Sequence, residues 1–129
     1  MLTIIITAWK EEKTIARAIQ AVADNDYSGF NGAFELLVVA PDEGTQAAAS
    51  AEAARLKLKS FRNIQDPGQG KPAALRLALT EVKGDIVFLT DGDVYLGAGA
   101  LGKLMQSFAD EKVGGVTGRP VSVDERTSF

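Results

Sequence analysis

Ile86-Val87-Phe88-Leu89-Thr90-Asp91-Gly92-Asp93 is the stretch on which the reading of this chain turns. An unbroken apolar run of strand-forming residues reads as a strand covered on both faces. The acidic pair that ends it then falls outside the carboxyl end of a strand, where open parallel sheets hold their ligands. Two carboxylates one residue apart suit a hard divalent cation, which takes oxygen donors and commonly joins a protein carboxylate to a substrate phosphate. Gly92 between them has no side chain, so a ligand can approach the backbone closely. The same triplet serves equally well as a polar surface turn. The rest of the chain has to decide between the two.

Working outward, the apolar runs and the helical stripes alternate. Leu2–Thr7 is a β-branched run with strand character, and Ile15, Ala18, Ile19 and Val22 then fall on one face of a helix over 14–23. Phe34–Val39 predicts a second strand, stopped by Pro41, and an alanine-rich helix follows from Thr45 to about Leu58. Phe61–Gln65 is a short third strand. Asp66-Pro67-Gly68-Gln69-Gly70 is a loop by composition, and Pro72 sits where the first turn of a helix tolerates proline. Leu75, Leu79 and Val82 would line that helix, with Gly84 as its stop. After the strand at 86–89, Leu101, Leu104, Met105 and Phe108 form another helical stripe, and Val113–Thr117 is expected to open a fifth strand.

This β-α order, with every connection long enough for a crossover helix, predicts an α/β fold with a mainly parallel sheet flanked by helices. Right-handed crossovers bring the ends of strands one, two and four to a common edge. Just beyond those ends lie the segments 8–12, 40–43 and 91–93, and each carries acidic residues.

Composition narrows the function classes. With 129 residues, 46% of them hydrophobic, the chain holds one domain with a real core. A formal charge of -3 and the lack of a basic block argue against a nucleic-acid partner. There is no cysteine and no histidine, which removes disulfides, thiolate and imidazole metal sites, a cysteine nucleophile and a Ser-His-Asp triad. The amino terminus lacks the basic segment of a signal peptide, and no run approaches the ~20 apolar residues of a membrane span. A cytoplasmic location is the expectation; attachment of a parent protein to a membrane would have to come from residues other than these.

Three segments carry a resemblance. Thr7-Ala8-Trp9-Lys10-Glu11-Glu12-Lys13-Thr14-Ile15 resembles the Pro-Ala-Tyr-Asn-Glu opening of family 2 glycosyltransferases, which have the Rossmann-like A-type nucleotide-sugar-binding fold. Gly70-Lys71-Pro72-Ala73-Ala74-Leu75 resembles their Gly-Lys-x-x-Ala-Leu segment. Gly84-Asp85 through Asp91-Gly92-Asp93 resembles their Gly-Asp-hydrophobic-Asp-x-Asp segment, the DxD motif. The match covers roughly residues 1 to 120. Thr7 replaces the family's proline and Lys10 its asparagine, while Ala40-Pro41-Asp42-Glu43 stands where two carboxylates usually follow the second strand directly.

The resemblance implies metal-dependent transfer of a sugar from a nucleotide diphosphate donor, with Mg2+ or Mn2+ as cofactor. Ala8 and Trp9 would lie beside the nucleobase, and Glu11 or Glu12 near base and ribose. Asp42 would read the base, Lys71 would meet the diphosphate, and Asp91 with Gly92 would border the ribose. Asp93, assisted by Asp91, would hold the metal. The resemblance also implies that 1–129 is the nucleotide-diphospho-sugar-binding part of a truncated domain, with the acceptor-binding half and the catalytic base outside it. Asp124 and Glu125, in a polar tail, are poorly placed for that base. Apolar surface left uncovered by such a truncation would favour self-association.

Other classes compete. A strand followed by Asp-x-Asp also marks the nucleophile loop of haloacid-dehalogenase-type phosphotransferases, but that class needs a downstream lysine and further acidic cluster, and little chain follows Asp93. A nucleotidyltransferase would place a glycine-rich loop after the first strand, and Ala8–Lys13 contains no glycine. A non-catalytic nucleotide-sugar-binding module is the remaining alternative. The identities of base, sugar and acceptor are not written in these residues.

Overall fold

The computed structural model describes residues 1–119 and 121. Leu2–Thr7 forms β1, and all six of its residues are buried. The helix Ile15–Ala23 (α1) follows, and Phe34–Ala40 forms β2, buried from Glu35 onward. Glu43–Arg55 is α2, and Phe61–Gln65 is β3. Lys71–Leu79 is α3, Ile86–Asp91 is β4, and Ala100–Gln106 is α4.

The four strands pair in parallel in the order β3-β2-β1-β4. Consecutive parallel strands need a crossover, and α1, α2 and α3 supply it. The α/β expectation with a parallel sheet flanked by helices is met, with four strands rather than five among the described residues. Register sets Thr3 beside Glu35 on β2 and Thr7 beside Asp91 on β4.

Strand alternation sends neighbouring side chains to opposite faces, and the two faces are packed unequally. On one side Ile4, Ile6, Leu36 and Val38 meet Ile15, Ile19 and Val22 of α1, Ala49 of α2 and Leu101 of α4. On the other, Ile5, Leu37 and Val39 meet Ala74 and Ala78 of α3. Each fully buried Ile or Leu here contributes about 1.5–3 kcal/mol relative to exposure. The small alanines of α3, rather than the expected Leu75, Leu79 and Val82 face, make its closest approach. Leu75 and Val82 pack at the margin, and Leu79 is exposed.

Three further expectations need correction. β4 was expected to be covered on both faces, yet Val87 is 36% and Leu89 51% exposed. As the edge strand it lies beyond α3, which packs over β1 and β2. Residues 113–117 form no strand, and the adjacent Gly114 and Gly115 weaken strand formation there. Gly84 is a point of close approach rather than a helix stop: a Cβ there would lie 2.4 Å from the Met1 carbonyl and 2.6 Å from Thr3 Oγ1.

Candidate functional site

A cleft of about 640 Å3 opens at the carboxyl ends of the strands. β1 contributes Thr7 and, just past its end, Ala8, Trp9 and Glu11. β2 contributes Val39 and, just past its end, Pro41; the loop after β3 contributes Asp66, Gly68 and Gly70, α3 contributes Lys71 and Ala74, and β4 ends in Asp91 with Asp93 just beyond it.

The loop after β1 is held by hydrogen bonds that its own residues initiate. The Ala8 amide donates to the Val39 carbonyl, extending the ladder by one residue. Lys10 has φ 54°, a left-handed conformation that is uncommon for a residue with a side chain. Its amide donates to Asp42 Oδ1 at 3.1 Å, and its ammonium lies 4.8 Å from the centre of the Trp9 ring. Trp9 is 63% exposed, an aromatic face open to solvent at the cleft wall. The Glu11 carbonyl then accepts the amides of Thr14 and Ile15 and starts α1.

The loops after β1 and β4 are stitched together. The Gly92 amide donates to the Thr7 carbonyl at 3.0 Å, and the Thr14 hydroxyl donates to the Gly92 carbonyl at 2.8 Å. A Cβ on Gly92 would stand 2.8 Å from Ala8 Cβ and 3.2 Å from Glu11 Cβ. Gly92 is therefore required by protein packing. It is buried and lies outside the lining, whereas the sequence suggested that its missing side chain lets a ligand approach the backbone closely.

Asp91 and Asp93 both face the cleft. Asp91 Oδ1 accepts from the Thr7 hydroxyl at 3.0 Å and from Lys71 Nζ at 2.6 Å, with its side chain 43% exposed. Lys71 opens α3 behind Gly70, whose φ of 100° suits glycine. Among the described residues no three His, Cys, Asp or Glu side chains gather closely enough to enclose a metal ion. Two cleft carboxylates still fit a hard cation of the kind that takes one or two carboxylates and completes its shell with water and substrate phosphate.

The other expected site residues sit differently. Asp42 caps α2: its Oδ2 accepts from the Thr45 amide and hydroxyl, and its Oδ1 from Lys10. Burial alone would raise the Asp42 pKa, but these donors outweigh it and hold the carboxyl below its ordinary value. Glu12 is exposed and turned toward Gly44. Neither Asp42 nor Glu12 lines the cleft. Asp124 and Glu125 lie outside the described residues.

Asp66 is the residue that the sequence reading passed over. It is 6% exposed and lines the cleft; Oδ2 accepts from the Gly68 amide, while Oδ1 is buried without a partner among the described residues. Asp-Pro-Gly looks like any turn, but its place after β3 follows the same carboxyl-end rule that singled out Asp91.

The arrangement is that of an open parallel sheet with a ligand cleft at its carboxyl edge, walled by an aromatic and carrying acidic and cationic groups together. A family model described as "Glycosyltransferase like family 2" matches residues 1–129, and the chain belongs to that family. It is 26% identical over 131 residues to the beta-monoglucosyldiacylglycerol synthases of Trichormus variabilis and of a Nostoc species. That match takes in 99% of this chain and 28% of theirs. The mannosyltransferase PcManGT from Pyrobaculum calidifontis, in complex with GDP-Man and Mn2+, superposes with a TM-score of 0.79 at 26% identity, over 88% of this chain and 33% of that one. S. aureus TarS 1-349 in complex with UDP gives 0.64 at 28% identity, over 95% and 38%. The chain thus spans well under half the length of each of these relatives. The sheet and its flanking helices are those of the A-type glycosyltransferase fold.

Proposed function

We propose that residues 1–129 form the donor-binding part of a metal-dependent glycosyltransferase, taking a nucleotide diphosphate sugar. The carrying observation is that Trp9, Lys71, Asp91 and Asp93, drawn from three separate parts of the chain, line one cleft at the carboxyl edge of the sheet. Trp9 offers a flat apolar face for a nucleobase. Lys71 supplies a mobile point charge for a diphosphate. Asp91 and Asp93 are the residues that would hold Mg2+ or Mn2+. When bound, such an ion stabilises the charge that develops on a departing diphosphate. Mn2+ with GDP-Man in the mannosyltransferase and UDP in TarS accord with this reading.

Glu11, with its carboxylate near Thr14, stands on the same wall and would border the base and ribose. Asp42 acts on this region through Lys10 and α2, shaping the first loop. The catalytic base and the acceptor site are assigned to residues outside 1–129, in keeping with the share of its relatives that the chain spans.

Calorimetric titration of GDP and of UDP into the protein, with and without Mn2+, tests the proposal. Metal-dependent binding of at least one nucleotide, without sugar transfer by these residues alone, is the expected result. No binding of either nucleotide with metal present would refute it.

A further inference from the structure

We infer that Lys71 is a placeholder cation: in the free protein it occupies Asp91, and it gives up that carboxylate when a divalent cation and a diphosphate enter together. This rests on the donor-site reading above and deepens it, by assigning how the binding of the two ligands is coupled. Lys71 Nζ lies 2.6 Å from Asp91 Oδ1, the oxygen that also accepts from Thr7. Asp93 is exposed and forms no ion pair among the described residues. Glu11 lines the same cleft. Lys71 is thus the one cation paired with a cleft carboxylate among the described residues.

An ammonium group has donors only, so it cannot share a coordination sphere with a metal ion. Asp91 Oδ1 already accepts two donors, and a divalent ion brought to this carboxylate while the ammonium holds it, or stands released and unpaired nearby, faces like-charge repulsion. A diphosphate in the cleft removes that penalty, because its oxygens accept the ammonium as Asp91 releases it. The Lys side chain is a flexible stem with a rotatable charged head, suited to such a transfer. Gly68 and Gly70, with φ of 74° and 100°, bracket the loop that leads to it.

Two ligands that each relieve the other's cost bind with positive coupling, and the coupling is reciprocal. Lys71 carries part of it in this cleft. Metal alone meets competition from the ammonium, whereas metal with diphosphate does not. The pair is half exposed, with side-chain exposures of 55% and 43%, so its competition is modest.

Mn2+ binding, read from the electron paramagnetic resonance signal of free Mn2+, tests this on the full chain without nucleotide and then with saturating GDP or UDP. Lys71→Met is expected to bind Mn2+ alone about three- to fivefold more tightly than wild type. The nucleotide is then expected to improve its Mn2+ affinity by a factor about fivefold smaller than in wild type. Lys71→Arg, which keeps a positive head, should stay near wild type for Mn2+ alone. Lys71→Gln repeats the test should the methionine variant lose its cooperative melt. Unchanged or weaker Mn2+ binding by the neutral variants, in proteins that still bind metal with nucleotide, overturns the placeholder role and leaves the donor site standing. Absence of Mn2+ binding by wild type both with and without nucleotide overturns both.

Discussion

Thr3 and Thr7 stand at opposite ends of β1, and each donates its hydroxyl to a carboxylate on the neighbouring strand. At the amino end the acceptor is Glu35, at 2.6 Å; at the carboxyl end it is Asp91, at 3.0 Å. Each carboxylate also has a basic neighbour, Arg62 at 3.9 Å and Lys71 at 2.6 Å. Their surroundings separate them. Glu35 is 1% exposed and accepts from the Lys83 amide as well, while the Gly84 amide closes onto Thr3 Oγ1. Asp91 is part-exposed and pairs with the part-exposed ammonium of Lys71. The same chemical pair therefore serves as a lock where every partner is protein, and, under the proposed donor-site reading, as a ligand site where partners are left to be replaced. Burying a carboxylate is costly unless it is paired and hydrogen-bonded, as Glu35 is, whereas a binding carboxylate needs partners it can exchange.

The strongest test of the lock is Gly84→Ala. The added methyl would meet the Met1 carbonyl, Thr3 Oγ1 and the Thr3 amide at 2.4, 2.6 and 2.8 Å, two of them backbone atoms at the start of β1. A loss of about 3 kcal/mol is expected by chemical denaturation. Gly92→Ala at the other end of β4 makes one contact under 3.0 Å, with Ala8 Cβ at 2.8 Å, where Gly84→Ala makes three, and its neighbours lie in a part-exposed loop, so its loss should be smaller. Equal losses would erase the contrast between the two ends.

Glu35→Gln comes next, at about 2 kcal/mol, because it removes charge-assisted bonds from a buried site. Burial alone would raise the Glu35 pKa, but the Thr3 hydroxyl, the Lys83 amide and the positive charges of Arg62 and Lys83 hold it below its ordinary value. A carboxyl with a lowered folded-state pKa stabilises the fold above its unfolded value, roughly 4.3 for Glu, and that contribution disappears as pH falls through the folded-state value. The gap between wild type and Glu35→Gln should thus narrow from pH 7 to pH 3. A gap that stays constant over this range would mean that Glu35 is not a titrating part of the lock.

How much of this contrast was legible in the sequence depends on what sets it. Strand positions were written in apolar runs, because a β-branched run has few other places to go, and the DxD pair declared its position by following one of them. Coverage was not written there. Ile5 and Leu89 are cross-strand partners of similar character, yet one is fully buried and the other half exposed, since only packing places α3 over β1 and not over β4. Glu35 looked like an ordinary strand residue because its partners come from Thr3, Arg62 and Lys83, distant in sequence. Asp66 was hidden by turn chemistry, and Asp42 by a capping role that a strand-end position does not reveal.

At the ligand end, Asp93→Asn keeps shape and removes charge. A neutral amide is a weaker donor to a hard cation, so Mn2+-dependent nucleotide affinity should fall more than tenfold, about 1.4 kcal/mol or more, in calorimetric titration. The melting temperature should hold or rise, since removing one of two neighbouring carboxylates relieves repulsion. A fall in stability with unchanged nucleotide affinity would return the triplet to an ordinary surface turn.

The smallest expected effect, that of Thr7→Val, belongs to the most direct comparison: the same substitution, Thr→Val, at the two ends of β1. Thr3→Val strips a buried carboxylate of its hydroxyl donor and the Gly84 amide of its acceptor in one step. Both groups remain in the protein interior, so a loss of about 2 kcal/mol is expected. Thr7→Val also removes a hydroxyl from a nearly buried position, but the carboxylate it abandons has Lys71 and water to turn to. Stability should change by about 0.5 kcal/mol or less. What Thr7 does supply is orientation, fixing Asp91 Oδ1 toward the cleft. Its removal should lower Mn2+-dependent nucleotide affinity by roughly twofold, close to 0.4 kcal/mol. Melting curves and Mn2+ titrations on both variants separate the roles: Thr3→Val should move the first and leave the second, and Thr7→Val the reverse. If Thr7→Val costs as much stability as Thr3→Val, Asp91 is held as a structural carboxylate and the two ends of the sheet do the same work.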